Sequence, residues 1–474
     1  MVFTSPTFLY VFLPLFLVAY FAIPGMVARN ATFVAFSLLF YAWGEPVFVG
    51  VLVASTVVNW LVGLRLSGLP AGGRRGVLAF GLAWNLGILV AAKYADFILE
   101  SVGALLSVDL PKTGWALPLG VSFFTFHAIS YLIDLHRGRV EAERSLLRLT
   151  LYITMFPQLV AGPIVRYRTI AHQLATRRAT LWRASIGTRI FVIGMAQKVL
   201  IANQLGLVAD AAFGMGDRLD AGEAWLGLAG YTLQIYYDFA GYSNMAIGLG
   251  FIVGLALPRN FDLPYTAQSI TEFWRRWHIS LSRWFRDYLY IPLGGNRRGP
   301  LRTYANLAIV FLLCGLWHGA SWNFVIWGAW YGAFLIVERA WLLGALAALP
   351  RPLRTAYALV VVMLGWVWFR AETLPGALGY FRALAGGSGN GLYDAELAGL
   401  VTGYSGIVFA VAVILALMPR RVWARLRRAG LPAEGSAGGA AARLAANTLW
   451  AGLLGLSMAG IAGSGYNPFL YFRF

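Results

Sequence analysis

Charged residues are scarce in this sequence: only 12% of its 474 residues are Asp, Glu, Lys or Arg, against about 25% in a soluble domain. Apolar residues make up 59%, and the mean hydropathy is +0.67. Such a composition excludes a water-soluble fold, because there is too little polar surface to cover the exterior. In lipid the backbone must satisfy its own hydrogen bonds, and the long apolar runs lack the alternation of barrel strands. The sequence therefore predicts an all-α polytopic membrane protein.

Reactive cysteine and the common hydrolase motifs are also missing. The one cysteine, Cys314, lies inside an apolar stretch, so no disulfide framework can form. A thiol in apolar surroundings is a poor nucleophile, since the thiolate is disfavoured there. The chain has no Gly-x-Ser-x-Gly elbow, no His-Glu metal spacing and no phosphate-binding loop. Covalent cysteine catalysis, serine hydrolysis and metal chemistry are therefore without support, and we expect no metal.

Long apolar stretches recur along the whole chain and predict about 11–12 membrane crossings, with re-entrant pieces among them. We assign residues 1–474 to a single transmembrane domain with one Gly- and Ala-rich flexible loop at 430–442. The first residues lack a basic region, so the first stretch is expected to be a retained span rather than a signal peptide. The stretches lie at about residues 7–24, 30–43, 46–66, 76–97, 115–133, 188–209, 223–254, 303–342 (long enough for two crossings), 356–369, 403–418 and 445–463.

The net charge of +18 comes from basic residues that lie between the apolar stretches. This pattern is typical of cytoplasmic loops under the positive-inside rule, so we expect the lipid bilayer and no nucleic acid as the partner of these charges. The longest basic region, residues 258–302, contains aromatic residues interleaved with arginines. Its composition predicts an amphipathic helix at the membrane interface.

Three polar side chains fall where a membrane protein tolerates them only at a cost of a few kcal/mol. His318 lies in an otherwise apolar span, where it is either functional or a core histidine bonded to a carbonyl. His278 lies in the interfacial segment and is either functional or directed at lipid headgroups. Asp238 lies in a span and must pair with a cation or keep its proton.

A buried imidazole suits general base catalysis near neutral pH, because its unperturbed pKa is about 6.5 and burial favours its neutral form. Transfer of an acyl group from a carrier thioester to a hydroxyl needs little more than such a base and a path for the donor. The two histidines and the aromatic surroundings are sufficient for that reaction.

Several motifs together resemble the membrane-bound O-acyltransferase family, in its bacterial branch typified by the alginate O-acetyltransferase membrane subunit. The resemblance runs from the first span to the last residues. The motifs are PLGVSFFTFH at 118–127, FPQLVAGPI at 156–164, YDFAGYS at 237–243, TEFWRRWHISLS at 271–282, DYLYIPLGGNR at 287–297 and GLWHGASWNF at 315–324.

The resemblance implies tilted helices around a tunnel that crosses a bacterial inner membrane. His318 would be the catalytic histidine and His278 the second polar residue of the pair, with Asp238 and Asn323 as supporting polar groups. A cytoplasmic thioester, acetyl-CoA or an acyl carrier, would donate the acetyl group. A periplasmic partner acetyltransferase of the SGNH type would complete the transfer onto a polysaccharide.

Two further sets of residues fit such a role. Arg275, Arg276, Arg283 and Arg286 are proposed to bind the donor, because guanidinium groups suit the phosphates of CoA or of a phosphopantetheine carrier. Ordinary contacts with lipid headgroups explain any one of these arginines equally well. The final residues, FLYFRF at 469–474, resemble the C-terminus of the small accessory subunit in teichoic-acid D-alanylation systems. By that resemblance Tyr471 is a possible acyl relay; an aromatic interfacial anchor is the alternative.

Two other functions are compatible with the same residues. A transporter or flippase for an envelope precursor would use buried polar groups to line a substrate path and would need no thioester. A structural scaffold for an envelope polymerase complex would not need the two histidines at all.

Overall fold

The computed structural model of the protein describes residues 1–70, 72–115, 118–160, 162–387, 403–430, 440–463 and 465–468. Within these ranges the regular secondary structure is helical and contains no strand. The predicted all-α class is confirmed. The predicted loop at 430–442 falls mainly on 431–439, which lie outside the described residues, as does Tyr471.

Among the helices up to residue 214, two continue directly into the next helix through a short π-helical turn. Those turns are Val90–Tyr94 and Gln197–Ala202, and a further π-helical turn, Phe8–Phe12, leads into the first helix. The helices are α1 (Leu13–Ala22), α2 (Met26–Ala42), α3 (Phe48–Gly68), α4 (Arg74–Leu89), α5 (Ala95–Leu106), α6 (Val121–His136), α7 (Leu146–Thr154), α8 (Phe156–Leu159), α9 (Tyr167–Thr176), α10 (Leu181–Ala196) and α11 (Asn203–Gly214).

The later helices begin with α12, which is 32 residues long. Further π-helical turns are Arg286–Tyr290 and Glu338–Leu342, and 3-10 turns are Gly216–Arg218 and Pro264–Thr266. The helices are α12 (Ala221–Ile252), α13 (Ile270–Arg276), α14 (Ile279–Phe285), α15 (Gly299–His318), α16 (Trp322–Val337), α17 (Leu343–Ala347), α18 (Arg351–Arg370), α19 (Leu374–Leu384), α20 (Gly403–Leu417), α21 (Arg420–Gly430) and α22 (Ala440–Gly463).

Six helical stretches of the described chain are long and apolar enough to cross a membrane, which agrees with a polytopic protein. Three shorter apolar helices accompany them, at Phe8–Ala22, Met26–Ala42 and Gly403–Leu417. The count of about 11–12 crossings stays a prediction. The six stretches are Phe48–Gly68, Arg74–Leu106, Leu181–Gly214, Gly299–His318, Trp322–Ala347 and Arg351–Arg370.

The chain forms two compact units, and the first contains residues 1–191 and 245–258. The Phe156 ring, at the start of α8, lies 5.1 to 5.5 Å from the rings of Phe12, Phe16, Phe33 and Phe40.

α3 and α4 are joined by the buried side chains of Asn59 and Asn85. Each side-chain amide donates to the side-chain oxygen of the other, at 3.1 and 2.8 Å. Such amide pairs hold helices together in an apolar solvent.

The second unit contains residues 192–244 and 259–473, and it includes His278 and His318. Its tightest helix pair is α15 with α16, whose backbones meet at glycines. A Cβ on Gly315 would lie 2.1 Å from the Phe324 carbonyl oxygen, and one on Gly328 would lie 2.3 Å from that of Phe311. The two glycines therefore allow the close approach that brings His318, at the end of α15, beside the side chains of α16.

The segment predicted to form one amphipathic helix is two short helices, α13 and α14, with a break at His278. That part of the prediction is wrong: His278 has a φ of +42°, which ends α13 and starts α14 in a new direction. Arg275, Arg283 and Arg286 of this segment are exposed, whereas most of its aromatic rings are buried inside the protein, and its place at the membrane interface stays a prediction. The buried rings include those of Phe273, Trp274, Trp277, Trp284 and Phe285.

Candidate active site

His278 is fixed by Asn260, a residue 18 positions earlier in the chain. The Asn260 side-chain oxygen accepts hydrogen bonds from the Ser280 backbone N–H at 3.2 Å and the Ser280 hydroxyl at 2.9 Å. The same oxygen lies 3.2 Å from Nδ1 of His278. The Asn260 backbone carbonyl also accepts from the N–H of Ile279 at 2.9 Å. Asn260 therefore holds the left-handed turn at His278, a conformation that costs a non-glycine residue about 1–2 kcal/mol.

These contacts determine which nitrogen of His278 carries the proton. A backbone N–H can only donate, so the Asn260 atom that faces Ser280 is its oxygen. An amide oxygen can only accept, so Nδ1 of His278 is the protonated nitrogen. The opposite nitrogen, Nε2, keeps its lone pair and has no hydrogen-bond partner among the described residues.

The His278 ring is fully buried, and burial lowers its pKa to about 3. The ring is therefore neutral at pH 7 and the lone pair of Nε2 carries no proton. The headgroup-facing alternative does not fit a side chain with 0% exposure. The Phe239 ring packs perpendicular to it at 4.6 Å, and the Trp317 ring lies 6.1 Å away.

His318 is the last residue of α15 and is 6% exposed. Its ring is surrounded by the rings of Trp317 and Trp327, both at 4.9 Å, and of Phe369 at 5.2 Å. Trp317 contacts both histidine rings, so His278 and His318 belong to one aromatic cluster within the second unit. The structure thus brings together the two histidines that stood out in the sequence.

The predicted supporting groups have separate structural partners. Asp238 lies 2.7 Å from Nζ of Lys198, and both side chains are almost fully buried. The predicted need of this carboxylate for a cation is met by that lysine. Asn323, in the first turn of α16, donates to the carbonyl of Ala371 at 2.7 Å, just after the end of α18. It links two helices whose rings surround His318.

The four arginines assigned to the donor have different environments. Arg275, Arg283 and Arg286 are exposed, and Arg286 lies 2.8 Å from the Asp287 carboxylate. Arg276 instead turns inward, where it pairs with Glu272 and donates to the Thr266 hydroxyl at 2.6 Å. It is the member of this set that lines a cleft of the second unit.

Two functional candidates escaped the sequence analysis. Asn260 gave no signal, because asparagine in a loop is common and its partner His278 is distant in sequence. Glu338 could have been found, since it is a carboxylate inside the apolar stretch 303–342. It is fully buried and accepts hydrogen bonds from the Ile270 and Thr271 N–H groups at 2.5 and 2.8 Å, so it caps α13, the helix that leads to His278.

The C-terminal residues before Tyr471 are held by a polar network in the second unit. Nζ of Lys198 donates to the Pro468 carbonyl, and the Tyr466 hydroxyl donates to Asp210 at 2.6 Å. Asp210 is also paired with Arg370 at 2.6 Å. Lys198 is therefore shared between Asp238 and the C-terminal segment.

Comparison with known proteins identifies the family. Residues 111–372 match the model of the MBOAT, membrane-bound O-acyltransferase family. A protein of Azotobacter vinelandii named probable alginate O-acetylase AlgI is 45% identical over 81% of this chain and 78% of its own length. One of the same name from Pseudomonas putida is 40% identical over the full length of both chains.

A more distant relative acts on another polymer by its name. The peptidoglycan O-acetyltransferase of Helicobacter pylori is 36% identical over 82% of this chain and 80% of its own length. The family match covers more than half of the chain and includes both His278 and His318. The chain therefore belongs to the membrane-bound O-acyltransferase family and is an acyltransferase.

Proposed function

We propose that the protein moves an acetyl group from a cytoplasmic thioester across the inner membrane to an extracytoplasmic partner, which O-acetylates an envelope or exopolysaccharide. The observation that carries the proposal is the pair of buried histidines in one aromatic cluster, of which His278 is neutral and has no partner for Nε2 among the described residues. Relatives named for acetylation of alginate and of peptidoglycan support a polysaccharide as the final acceptor.

In the proposed reaction His318 is the catalytic base. Its imidazole takes the proton of an acceptor hydroxyl while the hydroxyl oxygen attacks the thioester carbonyl carbon. The carbon–sulfur bond breaks, an oxygen ester forms, and the thiolate leaves with the proton that His318 returns. The neutral His278 imidazole lies in the same aromatic cluster as this base, and the apolar rings around both histidines exclude water that would hydrolyse the thioester.

The acceptor hydroxyl has two candidate sources. One is Tyr471, whose phenol would carry the acetyl group and pass it to the partner. The other is a hydroxyl of the partner itself, an SGNH-type acetyltransferase. In either case the sugar takes no part in the reaction at His318. The same membrane protein can therefore serve relatives named for different polymers.

The proposal is tested with purified protein in proteoliposomes that contain its extracytoplasmic partner. Radiolabelled acetyl-CoA is supplied outside or inside, and release of free CoA thiol and label on the opposite side are measured. His318→Gln should slow thioester consumption by about 10²–10⁴-fold, the usual contribution of a general base. His172→Gln is the matched control, because His172 is an exposed histidine on α9.

Two outcomes would reject the acyltransferase reaction assigned to this site. A wild-type protein that moves an envelope precursor and consumes no thioester would be a transporter. Normal polysaccharide acetylation by a His318→Gln protein that accumulates normally would leave a scaffold as the remaining function.

A further inference from the structure

A cleft of about 510 Å³ in the second unit is lined by four arginines. Its volume lies within the range of about 300–1,000 Å³ that small-molecule sites occupy. Only one of these arginines, Arg276, belongs to the set expected from the sequence; the others come from the starts of two later helices. The lining residues are Thr266, Gln268, Arg276, Arg351, Pro419, Arg420 and Arg421.

The cleft carries more positive charge than the acidic partners among the described residues neutralise. Arg276 is paired with Glu272, and Arg420 is paired with Asp262. Arg351 and Arg421 have no acidic partner in the part of the chain that the structure describes. Four guanidiniums against two carboxylates leave an excess of two positive charges, which favours an anionic ligand with more than one charge.

The helix geometry adds to this charge. α18 begins at Arg351 and α21 begins at Arg420, so the cleft lies at the N-terminal ends of two helices. The first N–H groups of a helix have no partner within it and carry a partial positive charge, which is why helix N-termini bind phosphate. Guanidinium groups and helix ends here favour the same class of ligand.

We propose that this cleft binds the diphosphate and 3′-phosphate of a coenzyme A thioester, the donor in the proposed function on which this inference rests. A CoA molecule carries three phosphoryl groups, whereas a phosphopantetheine carrier arm carries one, so the excess charge selects CoA as the donor. The arginines lie at the end of α13 and at the starts of α18 and α21, and the positive-inside rule puts such basic segments beside membrane spans on the cytoplasmic side, where CoA is found.

Binding of CoA to the purified protein tests the assignment. We would measure the affinity for CoA, 4′-phosphopantetheine and pantetheine by calorimetry in lipid-free detergent. CoA should bind more tightly than 4′-phosphopantetheine, and pantetheine should bind weakly. Arg351→Gln combined with Arg421→Gln should weaken CoA binding by at least about tenfold, because charge-assisted contacts to phosphate are lost.

Controls separate the cleft from its surroundings and from the catalytic step. Arg382→Gln removes one positive charge from an exposed position on α19 and, unlike either single variant Arg351→Gln or Arg421→Gln, should leave CoA affinity unchanged. In the transfer assay the double variant should raise the KM for acetyl-CoA and retain kcat. His318→Gln should do the reverse, binding CoA normally while losing transfer, so failure of the proposed function and failure of this inference are distinguishable.

A lipid phosphate is the other possible source of the same chemistry. If a headgroup occupies the cleft, phosphatidylglycerol will co-purify with the wild-type protein and not with the double variant, and CoA will bind both proteins equally. That result, or unchanged CoA affinity in the double variant, would overturn the assignment. Tighter binding of 4′-phosphopantetheine than of CoA would overturn the choice of donor.

Discussion

The Nδ1–H of His278 donates to the side-chain oxygen of Asn260 at 3.2 Å, and this contact leaves the lone pair of His278 on Nε2. Asn260 holds the oxygen in place with two further bonds from Ser280. Orientation of a ring by a neighbour of this kind is what sets the tautomer of a histidine. Asn260 is thus a positioning residue for the candidate active site.

Replacement of Asn260 should lower acetyl transfer without weakening donor binding. Asn260→Ala removes the oxygen that accepts from Nδ1 of His278 and from the Ser280 N–H, and a buried donor that loses its acceptor costs about 1–3 kcal/mol. We expect kcat to fall by at least about tenfold, with CoA affinity unchanged. Kinetics and calorimetry on the same preparation would measure both quantities.

A conservative variant separates positioning from simple destabilisation. Asn260→Asp keeps an oxygen acceptor for the ring and adds a negative charge, which stabilises the protonated imidazole. The acidic limb of the pH–rate profile should then move to higher pH. An unchanged profile, together with full activity of Asn260→Ala, would show that Asn260 has no part in orienting His278.

The buried His278 ring should also make the protein less stable in acid. Its folded pKa of about 3 lies below the unfolded value of about 6.5, so the unfolded chain binds the proton more tightly. This contribution to stability is complete above pH 6.5 and is lost progressively between pH 6.5 and pH 3. The loss should be about 1.4 kcal/mol per pH unit in that window.

The pH effect is measured as the thermal unfolding midpoint in detergent between pH 5 and pH 7.5. His278→Gln should flatten the part of the profile due to this ring, whereas the exposed His172→Gln should not. A profile of His278→Gln that remains parallel to that of the wild type would contradict a neutral, buried imidazole at this position.

The sequence predicted the class of fold because that feature leaves a local trace, whereas the roles of the site residues stay predictions. Apolar length indicated helices in lipid, and a histidine in an apolar run indicated a cluster that the structure contains. Asp238 required a cation, and Lys198 is that cation. These inferences depend on the cost of polar groups in lipid, which a sequence displays directly.

The remaining features depend on how distant segments meet. The break at His278 is stabilised by Asn260 and so could not be read from the aromatic and arginine pattern of 271–290 alone. The arginine cleft joins Arg276 to residues at 351 and 420–421, far apart in the chain. Interleaved arginines predicted one donor-binding helix, but the tertiary structure turns one of them inward and leaves three exposed.

The buried ion pair of Lys198 and Asp238 yields a prediction about stability. Lys198→Met should destabilise the protein by about 3–5 kcal/mol, because it removes the cation that is paired with the buried Asp238 carboxylate. The double variant Lys198→Met with Asp238→Leu should recover much of that loss, since both charges are removed. Unfolding midpoints of the two single variants and the double variant form the thermodynamic cycle.

The same lysine also contacts the C-terminal segment, which provides a second readout. Loss of Lys198 removes the bond to the Pro468 carbonyl in both the single and the double variant. Limited proteolysis near the C-terminus should therefore increase in both, whereas Asp238→Leu alone should leave that bond in place. Equal protection of all variants would mean that the contact does not hold the segment.

A variant of Tyr471 tests whether a hydroxyl of this chain carries the acetyl group. Tyr471 follows by three positions the Pro468 carbonyl that Lys198 holds. If Tyr471 is the relay, incubation with acetyl-CoA should add an acetyl group to the C-terminal peptide, detectable by mass spectrometry, and His318→Gln should abolish that label. Tyr471→Phe keeps the aromatic ring as an interfacial anchor but removes the hydroxyl, so it should abolish label and transfer together. Full transfer by Tyr471→Phe would reject the relay and assign the attacking hydroxyl at His318 to the partner protein.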